Sequence, residues 1–544
     1  MPALLALAAA ALVAGAGPPE DLGGPEPLDE PLWARAGLSL RFTAEAAIPS
    51  DAVLFDPVAN VFAAGRFLAP QPADGYASAI VFASGGWTAT EWLGFRLDMD
   101  TGLVRGQQFP AAVPVCFSSR TLSGVEVATP GGCRLGAPGG VVTILPGSVP
   151  TTQLGPNQLT SNGQPFAEEF DQTLFIRQLY AEATFGRAGF LSTRVGRQRL
   201  RIAEGVVYDD WGLGVDVDSD VGAVGPPLRA SLSVFYPTRG WPSGSQWSSP
   251  VAAATLDWLP SLGEWVGVWG AYSHDDTGGA NEVLRQGFVA TEVGRILGHA
   301  PGSVAYVNAS RSLARLLASP PSGTSNLGWL GLSGRVDVGD RSEARFTAGA
   351  SFGTVSSFAS TATAISRAVD VPVLGWELSL RWLTQLGSGF SVSPFFLWLS
   401  GDDPAEEQQA AFGVPKRHTG FLSISPFIGA LNLFFQGGIS EAYADRRVAS
   451  SGLNARGVIA PGVEASFAPA TGVEVVVKGA WLWSDEVGPF GGQVYGPEVD
   501  LNASWAPWPW LSVLAEADVL VQGSFFPERS VARRVIVGLD LSTP

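Results

Sequence analysis

Few residues of this 544-residue chain have the types and spacing that catalysis requires. The histidines His274, His299 and His418 are far apart in the sequence and fall in predicted loops or at predicted strand rims. His274 precedes Asp275 and Asp276, a group that could orient a nucleophile or bind a cation. Acidic residues are also ordinary where a strand runs into a loop, so we expect no enzymatic activity here.

The acidic pairs Asp209-Asp210 and Asp402-Asp403 have two interpretations, as solvated turns or as cation sites. Calcium takes roughly six to eight oxygen ligands, and no dense run of Asp, Asn and Gly supplies them. The sequence also contains no phosphate-cradling glycine loop and no nucleophile elbow in a suitable position. We therefore predict no catalytic residue, no metal and no cofactor.

The two cysteines, Cys116 and Cys133, lie in a segment rich in Gly and Pro. In an exported protein, such a pair indicates one disulfide within a loop. Two free thiols are the alternative interpretation.

Composition excludes several classes of protein. Charged residues make up 15% of the chain, against about 25% in soluble domains. The formal net charge of −17 argues against nucleic-acid binding. After residue 17 no window approaches about 18 uninterrupted apolar residues, so no internal transmembrane helix is expected.

The elements that position the charged residues are long strands with a two-residue period, clearest in residues 473–541. Glu516 and Asp518 alternate there with Ala517 and Val519, so one face of the strand is charged and the other apolar. A soluble sandwich could show this pattern, but its strands usually run about 5–6 residues. The pattern predicts an all-β fold, a transmembrane antiparallel up-and-down β-barrel of about 18 strands, within roughly 16 to 20.

Connections between the predicted strands alternate between short and long, which is typical of short periplasmic turns and long extracellular loops. Both termini are then periplasmic. We predict a signal peptide over residues 1–16, a periplasmic segment over 17–35 and one barrel over 36–544, with long loops at 100–171 and 274–326. The loop at 100–171 could enter or cover the pore. The predicted strands include 418–427 and 431–441, and a hairpin that turns at Gly85-Gly86.

Tryptophans cluster near the ends of predicted strands, where amphipathic rings favour the headgroup level of a bilayer. The set predicts an aromatic girdle and consists of Trp87, Trp92, Trp258, Trp265, Trp382, Trp398, Trp481, Trp483, Trp505, Trp508 and Trp510.

The charged parity of each strand is predicted to line the pore, with arginines on the early and middle strands and mostly acidic residues on the late ones. The candidate pore-lining residues are Arg41, Glu182, Arg194, Arg229, Arg335, Arg345, Glu377, Arg381, Lys478, Glu498, Asp500, Glu516, Asp518 and Arg534.

One hairpin, over residues 177–211, resembles the hairpin of the alginate-export family of outer-membrane barrels. The resemblance rests on Arg177-Gln178-Leu179-Tyr180-Ala181-Glu182, then Arg194-Val195-Gly196-Arg197-Gln198, then Asp209-Asp210-Trp211. It implies an 18-stranded barrel with a cationic lumen that conducts a polyuronate. The mixed charge of the predicted lumen departs from that pattern, because acidic side chains repel a polyanion.

Together these features predict a porin-like channel in the outer membrane of a Gram-negative cell, exported through the periplasm and inserted by the barrel-assembly machinery. Its expected partners are outer-membrane lipid and a hydrophilic solute or an extended polysaccharide. The alternative is a plugged barrel with a structural or surface-binding role and no transport.

Overall fold

The protein is described here from a computed structural model. The structure describes residues 32–46, 74–90, 92–106, 115–118, 125–127, 142–144, 175–186, 190–223, 226–239, 244–245, 249–261, 263–276, 280, 284, 299–300, 303–306, 323–360, 366–387, 389–403, 417–424, 428–435, 448–488, 490–526 and 529–543.

The chain forms one closed antiparallel β-barrel of eighteen strands, as the alternating pattern predicted. The strands are β1 Leu32–Ala46, β2 Asp74–Thr90, β3 Leu93–Gly106, β4 Phe175–Phe185, β5 Leu191–Ile202, β6 Tyr208–Asp220, β7 Leu228–Arg239, β8 Val251–Trp258, β9 Trp265–Asp275, β10 Gly323–Asp337, β11 Ser342–Ser360, β12 Ser366–Gly387, β13 Phe390–Leu399, β14 Val458–Ala470, β15 Val473–Trp483, β16 Val494–Trp508, β17 Leu511–Val521 and β18 Val531–Ser542.

Each strand pairs with its neighbours in the sequence, and β1 pairs with β18 to close the wall. Closure leaves no unpaired sheet edge, which a bilayer requires because its interior offers the backbone no hydrogen-bond partner. A two-residue strand, Gly244–Ser245, extends the pairing of β7 beyond the wall. Among the described residues, no helix is long and apolar enough to cross a membrane.

The connections alternate in length, as predicted. The turns 338–341 and 471–472 are at the same end of the barrel as the start of β1 and the end of β18. The opposite end carries the longer connections, among them 276–322 and 400–457. We call these the short-turn end and the long-loop end.

The two faces of the wall differ in polarity along each strand. In β18, Val535 and Val537 are each 49% exposed, whereas the residues that precede each of them, Arg534 and Ile536, are buried. In β16, Val499 and Leu501 are exposed, whereas Glu498 and Asp500 are buried. The exposed apolar side chains therefore form the outer surface, and the charged parity faces the interior.

Aromatic side chains gather on the outside of the short-turn end. Trp258 and Trp505 are exposed there, and Trp508 stacks on Trp510 with ring centroids 5.2 Å apart. One member of the predicted girdle is wrong: Trp265 has the parity of the buried Trp269 and so faces the interior.

Two predicted strands, 418–427 and 431–441, are not part of the wall. Their described residues belong to the connection between β13 and β14, with Leu422–Ile424 pairing with Val448–Ser450. Phe421, Leu422 and Leu431 are fully buried, because this segment is enclosed on every side. These short buried stretches are as apolar as a strand that crosses a membrane, so their composition alone predicts a strand in the wall.

Other predicted boundaries also move. β1 begins at Leu32, inside the segment predicted to be periplasmic. The hairpin of β2 and β3 forms, but its turn follows Thr90 and does not lie at Gly85-Gly86, because both glycines continue β2 and pair with β1. β9 runs to Asp275 and β10 starts at Gly323, which shortens the predicted loop at 274–326.

In the predicted loop at 100–171, β3 continues to Gly106, and Val115–Ser118 lies between Val125–Val127 and Val142–Ile144 in a small separate sheet. Cys133 and the side chain of Cys116 lie outside the described residues, so the disulfide stays a prediction. The predicted signal peptide over 1–16 also lies outside them.

Candidate functional site

Three arginines form a row across the inner wall near the short-turn end. Arg335 on β10 is directly opposite Arg345 on β11, which is opposite Arg381 on β12. Like charges on directly opposed strand positions repel, so such a row needs carboxylates or water beside it. We call these three residues the arginine row.

Two carboxylates accompany the arginine row. Glu343 pairs with both Arg335, at 2.7 Å, and Arg345, while Glu464 on β14 pairs with Arg381 at 2.7 Å. The arginine side chains are 39%, 46% and 36% exposed, whereas the two carboxylates are 11% and 20% exposed. Within these ion pairs, the cationic side chains are therefore the more accessible partners.

A second inner group spans β4 to β7 at the same end. Arg194 pairs with Asp216, and with Asp218 at 3.2 Å, while Arg229 lies 3.6 Å from Asp218. Glu182 lies opposite Arg194 in the β4–β5 register. These bridges link neighbouring strands and leave Arg229 about half exposed.

Arg41 is at the seam where the barrel closes. Its two terminal nitrogens donate to Asp540 on β18 at 2.6 and 2.9 Å. A bidentate pair of this kind fixes orientation as well as charge, so it secures the register of the first and last strands.

The predicted acidic wall faces the interior, but a loop covers it. Glu498, Asp500, Glu516, Asp518 and Arg534 are all essentially inaccessible. Arg534 bonds Glu516 at 2.5 Å and Asp518 at 3.1 Å. These side chains therefore support packed protein in the present structure and do not border open space.

The cover is the lumen strap, by which we mean the described residues 417–424 and 428–435 of the β13–β14 connection. Backbone N–H groups of the strap donate to the carboxylates, from Asn432 to Asp500 at 2.8 Å and from Leu433 to Glu498 at 2.7 Å. Main-chain donors thus partly compensate the buried negative charge.

The remaining polar atoms of Asn432 complete this attachment. Its side-chain amide donates to Asn502 at 3.0 Å and to Asp518 at 2.9 Å, and its carbonyl accepts from Arg534 at 3.1 Å. Lys478 donates to the carbonyl of Gly429 at 3.0 Å. The strap is therefore held by four adjacent strands, β15 to β18.

The strap also reaches two other arcs of the wall. Trp329 on β10 donates its indole N–H to the carbonyl of Leu422 at 2.6 Å, and Leu422 donates its N–H to Ser351 Oγ on β11 at 3.2 Å. Ile424 donates to the carbonyl of Val207, between β5 and β6, at 2.7 Å. Only a segment inside the barrel can touch three separated arcs, so the strap crosses the lumen.

The start of the strap is fixed at the long-loop end. Leu374 donates its N–H to the carbonyl of His418, and His418 donates its N–H to the carbonyl of Pro372, both at 2.9 Å. His418 Nδ1 lies 3.1 Å from Asp402 Oδ2, and both side chains are fully buried. Thr419 donates its N–H to Asp402 Oδ1 at 2.9 Å. His418 is thus part of an enclosed loop anchor and is not displayed to solvent.

Glu377 on β12 is a buried carboxylate of a different kind. It is 3% exposed, and among the described residues neither of its oxygens has a hydrogen-bond partner. It faces Gly349, where an added Cβ would lie 3.0 Å from Glu377 Oε1 and 2.6 Å from the Trp269 ring. Glu377 was predicted to line the pore, but its surroundings in the closed wall are apolar.

The other predicted candidates for chemistry are structural in this arrangement. His274 Nδ1 lies 2.9 Å from Asn326 Oδ1 at the long-loop end, and Asp209 pairs with Arg199 at 2.7 Å. In the described part of the chain, no three His, Cys, Asp or Glu side chains are grouped as metal ligands. His299 is exposed, with no described contact.

The hairpin that resembles alginate-export barrels pairs as an antiparallel unit, with Tyr180 opposite Gly196. Gly196 has φ +137°, and a Cβ there would lie 2.2 Å from the carbonyl of Leu179. The glycine of this motif is therefore required by the backbone geometry.

No protein-family model and no curated protein matches this sequence. Among solved structures, Pseudomonas aeruginosa OccK9 (OpdG) aligns over 94% of this chain and 98% of its own, at 10% identity and a TM-score of 0.44. P. aeruginosa OccK8 (OprE) aligns over 94% of this chain and 98% of its own, at 12% identity and a TM-score of 0.43. Acinetobacter baumannii OccAB1 aligns over 94% of this chain and 96% of its own, at 8% identity and a TM-score of 0.43.

The barrel geometry itself decides the architecture. Eighteen strands in a closed wall carry an apolar exterior, a charged interior, short turns at one end and long loops at the other. The chain has the fold of a bacterial outer-membrane β-barrel. The resemblance to alginate-export proteins remains limited to residues 177–211.

Proposed function

We propose that this protein is a porin-like channel for the passive passage of hydrophilic solutes across an outer membrane. The observation that carries the proposal is the arginine row, whose guanidinium groups remain between 36% and 46% exposed although they face the inside of a closed barrel. An exposed guanidinium inside a barrel requires water beside it, because a dry lumen would impose a large desolvation cost.

The wet part of the lumen favours anionic solutes. Three arginines share two carboxylates there, and the carboxylates are the less exposed partners. The acidic residues of β16 and β17, which would oppose an anion, are covered by the lumen strap. Rings of exposed cations select anions in pores. Passage of a polyuronate is the narrower form of this proposal, and only the hairpin 177–211 supports it.

The plugged barrel is the second candidate, and the strap is the observation that favours it. The strap crosses the lumen, and its side chain Phe421 belongs to one buried apolar cluster with Trp329 of the wall and Val207 between β5 and β6. A strap that never moves would leave a water-filled chamber open at one end only. The barrel would then act as a structural or surface-binding protein.

The same proposal includes the cellular setting. We propose export through the periplasm after removal of residues 1–16, insertion by the barrel-assembly machinery and contact with outer-membrane lipid around the apolar exterior. We propose no enzymatic activity, because His418 is enclosed with Asp402 and His274 is engaged by Asn326 at the rim.

A liposome-swelling assay tests the proposal. Liposomes that contain the folded protein should swell in isotonic solutions of small sugars and of small organic anions, and faster in the anions. Liposomes with protein that has been heat-denatured before reconstitution are the control. Swelling no faster than in that control, for every solute, would favour the plugged barrel.

A further inference from the structure

Among the described residues, the lumen strap covers more carboxyl groups than cations. On β16 and β17 it covers four carboxyl groups, those of Glu498, Asp500, Glu516 and Asp518. The cations that face them are Arg534 on β18 and Lys478 on β15. The described hydrogen bonds from the strap to these carboxyl groups come from neutral donors, the backbone of residues 432–434 and the amide of Asn432.

Four ionised carboxylates with two cations cannot be enclosed cheaply, because buried like charges repel in a medium of low dielectric constant. Hydrogen bonds from strap N–H groups lower that cost without cancelling it. Exposure to water removes that cost, so uncovering the cluster favours the ionised forms of Glu498, Asp500 and Asp518 over their protonated forms.

On the opposite wall, a single carboxyl group, that of Glu377, is also buried close to the strap. Glu377 lies close to the strap, since a Cβ on Gly375 would lie 2.4 Å from the carbonyl of Gly420. The groups around Glu377 are Gly349 of β11, Trp269 of β9 and Leu399 of β13, none of which is charged. Arg381, four residues further along β12, is engaged by Glu464.

An isolated carboxylate without a hydrogen bond is not ionised at a buried site of this kind. If the strap leaves the lumen, water reaches Glu377 and its ionised form becomes the stable one. The strap's own titratable pair, His418 with Asp402, is enclosed at the rim near Asp403, Asp485, Glu486 and Arg456.

We propose that the lumen strap is a proton-linked gate: protons on the covered carboxyl groups hold it across the lumen, and their loss at alkaline pH releases it. The inference rests on the proposed channel function and adds its regulation. The closed state binds more protons than the open state, so the open fraction rises with pH. Each coupled proton changes the ratio of open to closed molecules by up to about tenfold per pH unit.

Hydrogen–deuterium exchange of the strap amides tests this gate without requiring conduction. After correction for the intrinsic pH dependence of exchange, protection of residues 421–424 and 431–434 should fall between about pH 5 and about pH 9. The Glu377→Gln variant cannot ionise at this position and should lose at least part of that fall. Glu464→Gln alters the carboxylate that pairs with Arg381 of the arginine row, outside the strap. It is the matched control and should behave as the wild type.

Protection that is independent of pH in folded wild-type protein would overturn the gate. So would a Glu377→Gln variant whose profile matches both the wild type and Glu464→Gln. Folding of every variant is verified by heat-modifiable gel migration. A strap that responds to pH in a protein that never conducts would retain the gate as a conformational switch and contradict only the channel.

Discussion

The side-chain amide of Asn432, in the connection between β13 and β14, donates a 2.9 Å hydrogen bond to Asp518, three residues before the end of β17. These residues are 86 positions apart in the chain. Their contact brings a loop from the long-loop end into the membrane-spanning part of the lumen. It links the two structural features on which the function depends, the charged wall and the strap.

Asn432→Ala should loosen the strap. The substitution removes two amide hydrogen bonds, one to the partly buried Asn502 and one to Oδ1 of the buried Asp518, at a cost of about 1–3 kcal/mol. We expect faster amide exchange over residues 431–434 and larger conductance. Asn326→Ala, at the exposed long-loop rim, is the control. Equal exchange in the two variants would show that Asn432 does not hold the strap.

Arg345→Gln should reduce anion preference. Arg345 is the central and most exposed member of the arginine row, and its loss leaves two arginines against two carboxylates. The reversal potential in a salt gradient should move toward that of an unselective pore. Arg201→Gln, near the other end of the wall, changes the same charge outside the row and should have a smaller effect. Identical shifts in both variants would assign the effect to net charge alone.

Gly196→Ala should impair folding. Its φ of +137° is unfavourable for alanine, and the added Cβ would lie 2.2 Å from the Leu179 carbonyl, so we expect a loss of at least about 1–3 kcal/mol. Gly263→Ala has a positive φ but no atom within 4 Å of the new Cβ. The folded fraction on a heat-modifiable gel should be lower for Gly196→Ala. Equal fractions would remove the close approach as the reason for this glycine.

Glu486, which lies in the loop between β15 and β16, should make the free energy of unfolding depend on pH. Burial, with Asp403 and Asp485 nearby, raises the pKa of Glu486 from 4.5 to about 7. The folded loop therefore favours the protonated form. Its stabilising contribution is present below the ordinary pKa and is lost as the pH rises through about 7.

Glu486→Gln should accordingly flatten the decrease in the thermal unfolding midpoint between about pH 5 and about pH 8. Glu204→Gln, at an exposed position, is the comparison. If the slope for Glu486→Gln equals the slope for Glu204→Gln, this carboxyl group is not the source of the dependence.

The strand pattern predicted the wall well because a barrel strand obeys a simple physical rule. Lipid contacts one face and the lumen contacts the other, so residues such as Val499 and Asp500 must alternate. The inward direction of Arg335, Arg345 and Arg381 followed from the same rule. Their alignment in one row did not, because register between strands depends on turn geometry that short loops specify only weakly.

The strap could not be predicted from periodicity. Residues 421–424 and 431–435 are as apolar as a membrane strand. They carry no charged side chains that would argue against such a strand. What identifies them as a lumen segment is the group of partners on other strands, above all Glu498, Asp500 and Asp518. The sequence predicts that those carboxylates line the pore, but it gives no indication that a loop covers them.

Single-channel recording of the purified, folded protein in a planar bilayer tests the central claim most directly. If the protein is a channel, the recording should show discrete conductance steps with an anion-selective reversal potential. Open events should become more frequent or longer as the pH is raised. A bilayer that stays silent at every pH, with protein shown to be folded and inserted, would contradict the channel and leave the plugged barrel.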